Sequence, residues 1–258
     1  MSATHPLYDV LDDPVSLRVP ESFLLQRGAY GGIVLAALVN GVESAAEHPI
    51  RSLSVNLCGV TRCDEDARIE VTPTRVGSKT ASYAVSVHQG DQCTAHGAAF
   101  TGAARPDDLD GQFSTRPTCP AWADVERLNT QTEMPPFARH FEYRPCHGGP
   151  RFSGGVPVTG GYINLLDGPD TLDKMAMAAL IDAWYPALFV PTQVFRPMAT
   201  TAIQVLFFED EAFVGGEPCL LTKDVQRARQ GYCIEDAGLW APDGRLLATA
   251  QQMIAVIR

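Results

Sequence analysis

The sequence predicts an α+β protein of two similar units, each an apolar helix followed by a meander of antiparallel strands. Three observations predict it. Two stretches with helical spacing, Arg27 to Ala46 and Asp170 to Leu188, carry long apolar runs, uncharged from Gly28 to Val42 and, but for Asp182, from Met175 to Leu188. Each is followed by segments that alternate apolar and polar residues at strand period. The two halves also lie side by side, VHQGDQCTAHGAAF against WAPDGRLLATAQQM, with Gly90 opposite Gly244 and Gly97 opposite Gln251. A repeat of this length implies two packed units of the same kind.

Residues 1–27 read as an irregular lead-in with a short strand at Ser16 to Val19. Gly28, Gly31 and Gly32 then precede a helix that stays uncharged until Glu43. Glycines there let a ligand or another chain approach the backbone, and the free N–H groups suit an oxyanion or a polarised carbonyl. Strands follow at Ile50 to Val60, Arg68 to Thr74, Thr80 to His88 and Cys93 to Gly102. Pro73 marks an edge or a strand end, and Gln89-Gly90-Asp91-Gln92 is a hairpin. Thr101 to Pro136 holds five prolines with Asp107, Asp108 and Asp110, and reads as a linker with one short helix near Ala121 to Leu128. The expected division is an N-terminal unit at 1–105, a linker at 106–136 and a C-terminal unit at 137–258. In the last, a strand at Phe137 to Arg144 and a glycine-rich stretch, Gly148 to Gly161, precede the second helix. Thr200 to Glu209, CLLTKDVQRA, Gly231 to Trp240 and Arg245 to Ile257 supply the closing strands, with a turn at Ala241-Pro242-Asp243-Gly244.

Composition narrows the function. The 258 residues are 45% hydrophobic and 19% charged, as in a globular protein able to bury a core. A net charge of −10 with scattered Lys and Arg argues against nucleic-acid and anionic-membrane partners. The apolar run Gly28 to Val42 is too short for a membrane span, and MSATHPLYDVLDDP lacks the features of a secretory signal. Seven cysteines without a Cys-x-x-Cys pair point to reduced thiols in a cytoplasm. Cys93 with His96 and Cys146 with His147 are lone pairs, so no metal is expected. Val76 to Thr80 lacks the residue order of a P-loop, and no dinucleotide fingerprint or His-Glu-x-x-His is present, so no cofactor is expected.

The second helix carries the residue of most interest. From Met175 to Leu188 every residue is apolar, aromatic or proline except Asp182. Asp170 or Thr171 would cap the helix, with Asp173 in its first turn. A helix apolar nearly all round is buried. A carboxylate on it either bonds at the helix margin or changes its pKa, and the helix alone leaves both readings open.

An apolar helix, a strand and a hairpin ending Asp-Gly-Arg-Leu-x-Ala-Thr-x-Gln, preceded by a copy of the same unit, resembles the double-hotdog acyl-CoA thioesterases of the thioesterase II type. The resemblance covers roughly Gly28 to Val256. It implies two hotdogs, each a long helix wrapped by a curved antiparallel sheet, with the acyl chain between them. It also implies a site made of an Asp on the second helix, a Thr or Ser opening the next strand, and a Gln on the last strand. Asp182 in LIDAWYP, Thr201 in TTAIQVLFF and Gln251 in LLATAQQ match, with Thr200 and Gln252 as the neighbouring alternatives. Alternation along a strand lets only one of each pair face the site. The chain departs from the family at Phe207-Phe208-Glu209, where an aromatic-His ending is usual, and in the insertion Arg144 to Gly161.

Thioester hydrolysis needs a positioned water, a proton acceptor and donors aimed at the developing oxyanion. Asp182 would be the base, Thr201 and Gln251 would hold the water, and Gly31 and Gly32 would face the oxyanion. No covalent intermediate is required, and the chain has no Gly-x-Ser-x-Gly elbow. The expected substrate is an acyl-CoA or an acyl-carrier thioester, in lipid or secondary metabolism. The expected assembly is a homo-oligomer joined by sheet edges. Two other classes stay open: an acyl-ligand-binding hotdog with a dead site, and a hotdog hydratase or dehydratase using His96 beside Gly97.

Overall fold

Strand period and hairpin chemistry produce one large antiparallel sheet with two helices against a single face. The computed structural model describes residues 5–105, 110–131 and 134–257; Pro106, Asp107 and Asp108 of the expected linker lie outside them. The chain opens with α1 (Pro6–Val10), β1 (Ser16–Arg18) and a small ladder of β2 (Leu24–Leu25) with β3 (Gly28–Ala29). Then come α2 (Gly31–Ala45), β4 (Ile50–Leu57), β5 (Asp66–Val76), β6 (Thr80–Gln89) and β7 (Gln92–Gly102). A connecting segment with a 3-10 turn at Trp122–Asp124 leads to β8 (Phe141–Gly148), β9 (Val158–Leu165), β10 (Thr171–Asp173) and α3 (Lys174–Asp182). The chain closes with β11 (Met198–Phe207), β12 (Glu211–Phe213), β13 (Cys219–Arg229), β14 (Tyr232–Trp240) and β15 (Leu246–Val256).

Eleven strands form the main sheet in the order β1-β5-β6-β7-β4-β11-β15-β14-β13-β9-β8. Read outward from the central β4·β11 pair, the two sides mirror each other: β7, β6, β5 on one, β15, β14, β13 on the other. α2 packs on β4, β5 and β6, α3 on β9, β14 and β15, and the helices pack on each other. From Gly32 to Val42, α2 buries every residue except Asn40, as expected of a helix apolar on nearly all sides. Burying its large side chains contributes about 1.5–3 kcal/mol each.

The second helix is shorter than expected, which corrects the expectation of two long central helices. α2 has 15 residues, but α3 has nine. Thr171–Asp173 pairs with β12 as a strand instead of opening the helix. Asp173 is the cap, accepting from the Ala176 N–H at 2.8 Å. At the other end Pro186 disfavours helical backbone at Tyr185, and the helix stops at Asp182. β9 was hidden in the glycine-rich stretch. A Cβ at Gly160 or Gly161 would run into the Leu221 or Arg144 carbonyl of the flanking strands.

Lys174 ties the halves together. Its buried ammonium bonds the Ile50 carbonyl at 2.7 Å and Asp210 at 2.8 Å. The seven cysteines are free thiols. No helix among the described residues is long and apolar enough to cross a membrane.

Candidate active site

One row of residues runs across the sheet: Val225, Glu235, Gln252, Ile203, Val55, Gly97, Val85 and Val71 pair in turn. Its centre lies between Ile203 and Val55. Gln252 therefore stands opposite Gly97, and Glu235 opposite Val85. The polar members all belong to the second half. A Cβ at Gly97 would fall inside the Ser54 carbonyl, so that position admits no side chain.

Asp182 ends α3 where the first turn of α2 meets it. The Gly32 N–H donates to its carboxylate. A Cβ at Gly31 would lie 2.8 Å from Asp182 Oδ2. The N-terminus of α2 favours the carboxylate's charge, and the C-terminus of α3 opposes it. Two buried tyrosines satisfy carbonyls that α3 leaves open at its end: Tyr30 donates to Ala179 O, and Tyr143 to Ala183 O at 3.1 Å. Protein atoms crowd Asp182 densely, yet it keeps some exposed surface. Burial is the main reason its pKa is pushed up to about 6. Lys223, the Gly32 N–H and Gln252 lower it, and Glu235 raises it further.

The two neighbouring pairs are resolved against the favoured matches. Gln252 is buried, while Gln251 is exposed and donates to Asp236 on β14 at 2.9 Å. The Thr200 hydroxyl donates to Gln252 Oε1 at 2.9 Å, while Thr201 bonds the Met253 carbonyl. The physical reason at Thr201 is a β-bulge: the β11·β15 register shifts between Thr200 and Ala202. Gln252 Nε2 is buried and turned toward the Asp182 carboxylate, and this contact lowers the Asp182 pKa. Gly32, expected to serve an oxyanion, has its N–H on Asp182 instead. His96 is exposed on β7 and pairs with Asn56 one step along from the row, so it points away from Asp182.

Sequence reasoning missed Lys223 and Glu235. Lys223 Nζ and Glu235 Oε1 lie 3.0 Å apart with both side chains buried. The available signal was parity. Lys223 shares a strand face with Leu221, and Glu235 shares one with Cys233 and Ala237, so each is a charge in an inward register.

Around this centre, Trp184, Phe189 and Phe207 are buried, while Phe195 is exposed. The glycine-rich insertion docks on the turn after α3, through Phe152 N–H to Phe189 O at 2.8 Å and Gly154 N–H to Val190 O at 2.9 Å. Phe189, Met198, Cys233 and Ile254 form an apolar cluster with Phe152 and Tyr185. A surface groove lined by Arg51, Phe100 and Arg105 shares no residue with this site.

The sequence matches the acyl-CoA thioesterase N-terminal domain over residues 19–102 and the acyl-CoA thioesterase C-terminal domain over residues 106–256. The chain belongs to the acyl-CoA thioesterase family. This thioesterase-family chain matches no curated protein significantly. A hotdog-fold protein of unknown function from Alicyclobacillus acidocaldarius superposes on it with a TM-score of 0.90 at 24% identity, over 99% of each chain. A candidate thioesterase II from Thermobifida fusca YX gives 0.84 at 17% identity over 100% of both chains. An acyl-CoA thioesterase II from Mycobacterium marinum gives 0.72 at 17%, over 97% of this chain and 98% of that one. At such identities the likeness shows the hotdog fold of this family member and no more.

Proposed function

We propose that the protein is a tandem-hotdog thioesterase that hydrolyses an acyl-CoA or acyl-carrier thioester with a single Asp182-centred site. The observation that carries this reading is the chain of Asp182, Gln252 and Thr200, with Gln252 Nε2 turned toward the carboxylate and Gln252 Oε1 holding the Thr200 hydroxyl. With its proton on Gln252 Oε1, the Thr200 hydroxyl keeps lone pairs to accept one hydrogen of a water. Asp182 takes the other as the water attacks the thioester carbon. Gln252 Nε2 and the Gly31 N–H supply donors for the oxyanion. Collapse expels the thiolate, and Asp182 returns its proton. The products are the free acid and the thiol. The apolar cluster of Phe189, Met198 and Ile254, beside Thr200, suits an acyl chain over a polar group.

The test is thiol release from a panel of acyl-CoAs by the wild type and by Asp182→Asn. Loss of about 10²-fold or more in kcat is expected. Full activity in the Asn variant would falsify the site. Binding and thermal protection by acyl-CoA without any cleavage would establish a binding protein instead.

The same reading places the protein in the cytoplasm, in lipid or secondary metabolism, with an N-terminal hotdog at 1–105 and the hydrolytic one at 137–258. It also makes it a homo-oligomer joined by sheet edges such as β1 or β8. A protomer mass in light scattering would remove that last element.

A further inference from the structure

The Lys223–Glu235 ion pair takes no part in the steps above, and the fold does not require its charges. A salt bridge this deeply buried is often no better for stability than an apolar pair of similar size. The molecule contains its own comparison. Across the centre of the sheet Glu235 stands opposite Val85, and the row through Lys223, Ala237, Ala250, Val205, Leu53, Ala99 and Tyr83 ends at Pro73. The first half builds the same architecture with apolar residues at both places.

What the pair touches is the turn that follows Asp182. Lys223 Nζ donates to the Trp184 carbonyl at 3.2 Å. Glu235 Oε2 accepts the Ala187 N–H at 2.5 Å, while its other oxygen faces Lys223 at 3.0 Å. Glu235 also pairs in register with Gln252. We propose that Lys223 and Glu235 are positioning residues for the hydrolysis, clamping the Asp182–Ala187 turn and setting the charge of Asp182 through opposed fields. This inference rests on Asp182 being the base.

Other groups lie around Asp182. α2 presents the Gly32 N–H with Tyr30 just before it, β8 presents Tyr143, and β15 presents Gln252, which holds Thr200 of β11; Cys233 of β14 lies near Glu235 and Lys223. Burial holds both tyrosines well above their ordinary range and pushes the Cys233 thiol up to about 11, so they stay neutral at the pH of interest. The two charges act in opposite senses: Lys223 lowers the Asp182 pKa and Glu235 raises it.

The experiment is the pH profile of kcat/KM on the acyl-CoA that the wild type cleaves fastest, for Glu235→Gln, Lys223→Met and the double variant. The acid limb reports the ionisation of the base in the free enzyme. Glu235→Gln keeps an oxygen acceptor for Ala187 and should move the limb down by about one pH unit. Lys223→Met should move it up by a similar amount, which is about a tenfold loss at a fixed pH on the limb. The double variant should bring it back toward the wild type. A pair with a structural role alone would lower kcat at every pH and leave the limb in place, and that result overturns the proposal. If Lys223→Met does not fold, Glu235→Gln decides alone. Asp182→Asn separates the two readings. Full activity there removes the base assignment itself, whereas an inactive Asn variant with an unmoved limb in Glu235→Gln removes only this inference.

Discussion

A buried primary amide offers two donors and an acceptor; Gln252 gives its acceptor to Thr200 at 2.9 Å and turns its Nε2 toward the Asp182 carboxylate. A buried amide donor is costly to leave without a partner, and in the proposed mechanism the Gln252 N–H groups serve Asp182 and the reacting carbonyl. Removing such a donor lowers kcat by about 10²–10³-fold. Gln252→Leu should show that loss and Thr200→Val a smaller one, while Gln251→Leu and Thr201→Val should stay close to wild type in thiol release. Equal losses in the two glutamine variants would reject the assignment. Sequence matching pointed to the pairs Thr200/Thr201 and Gln251/Gln252, and of these the structure joins Thr200 to Gln252. Within β15, Ala250, Gln252 and Ile254 share one parity, but Met253 lends Gln251 an apolar neighbour too, so parity alone was ambiguous. Within β11, parity with Ile203 and Val205 favours Thr201, and the bulge reverses it. A bulge is set by strand pairing and has no signature in this stretch.

The elements bring Asp182 to its place through the junction of two helix ends. α2 supplies a backbone N–H, and Gly31 leaves room for the carboxylate. Gly31→Ala would put a methyl group 2.8 Å from Oδ2, closer than side chains approach, and the flexible Asp182 is what would give way. Misplacing a catalytic group by about 1 Å costs about 10²-fold. The Ala variant should therefore lose activity on that order while keeping its Tm within a few degrees; an unaltered kcat/KM would show that Asp182 need not touch this turn. The apolar run that read as one long helix was legible as buried. Its true ends were not, because a β10·β12 ladder and Pro186 divide it into strand, helix and turn.

Across the whole molecule, placing a carboxylate in a desolvated centre lowers global stability. Asp182 has a folded pKa of about 6 against 3.8 for the free group. The native state therefore binds its proton more tightly than the unfolded state does, and stability falls as pH rises from about 4 to about 6. Above that window the loss from this group is about 3 kcal/mol. Asp182→Asn should then be more stable than wild type in urea unfolding at pH 8, with the difference fading below pH 4. An Asn variant no more stable at pH 8 would mean the carboxylate is not desolvated as described. The protein would thus trade stability for a base on the second half of its sheet, while the mirrored half stays apolar.

By itself the sequence determined the α+β class, the repeat, the apolar helices and Asp182 as the odd carboxylate, because periodicity and composition are local properties. Its resemblance to a thioesterase family brought Thr200, Thr201, Gln251 and Gln252 into view. Only the tertiary structure decided which of each pair joins the Asp182–Gln252 contact, that the second helix is short, and that the buried Lys223 and Glu235 act on Asp182. Those outcomes depend on register, bulges and the meeting of strands far apart in the chain, where a shift of one residue turns a side chain to the other face.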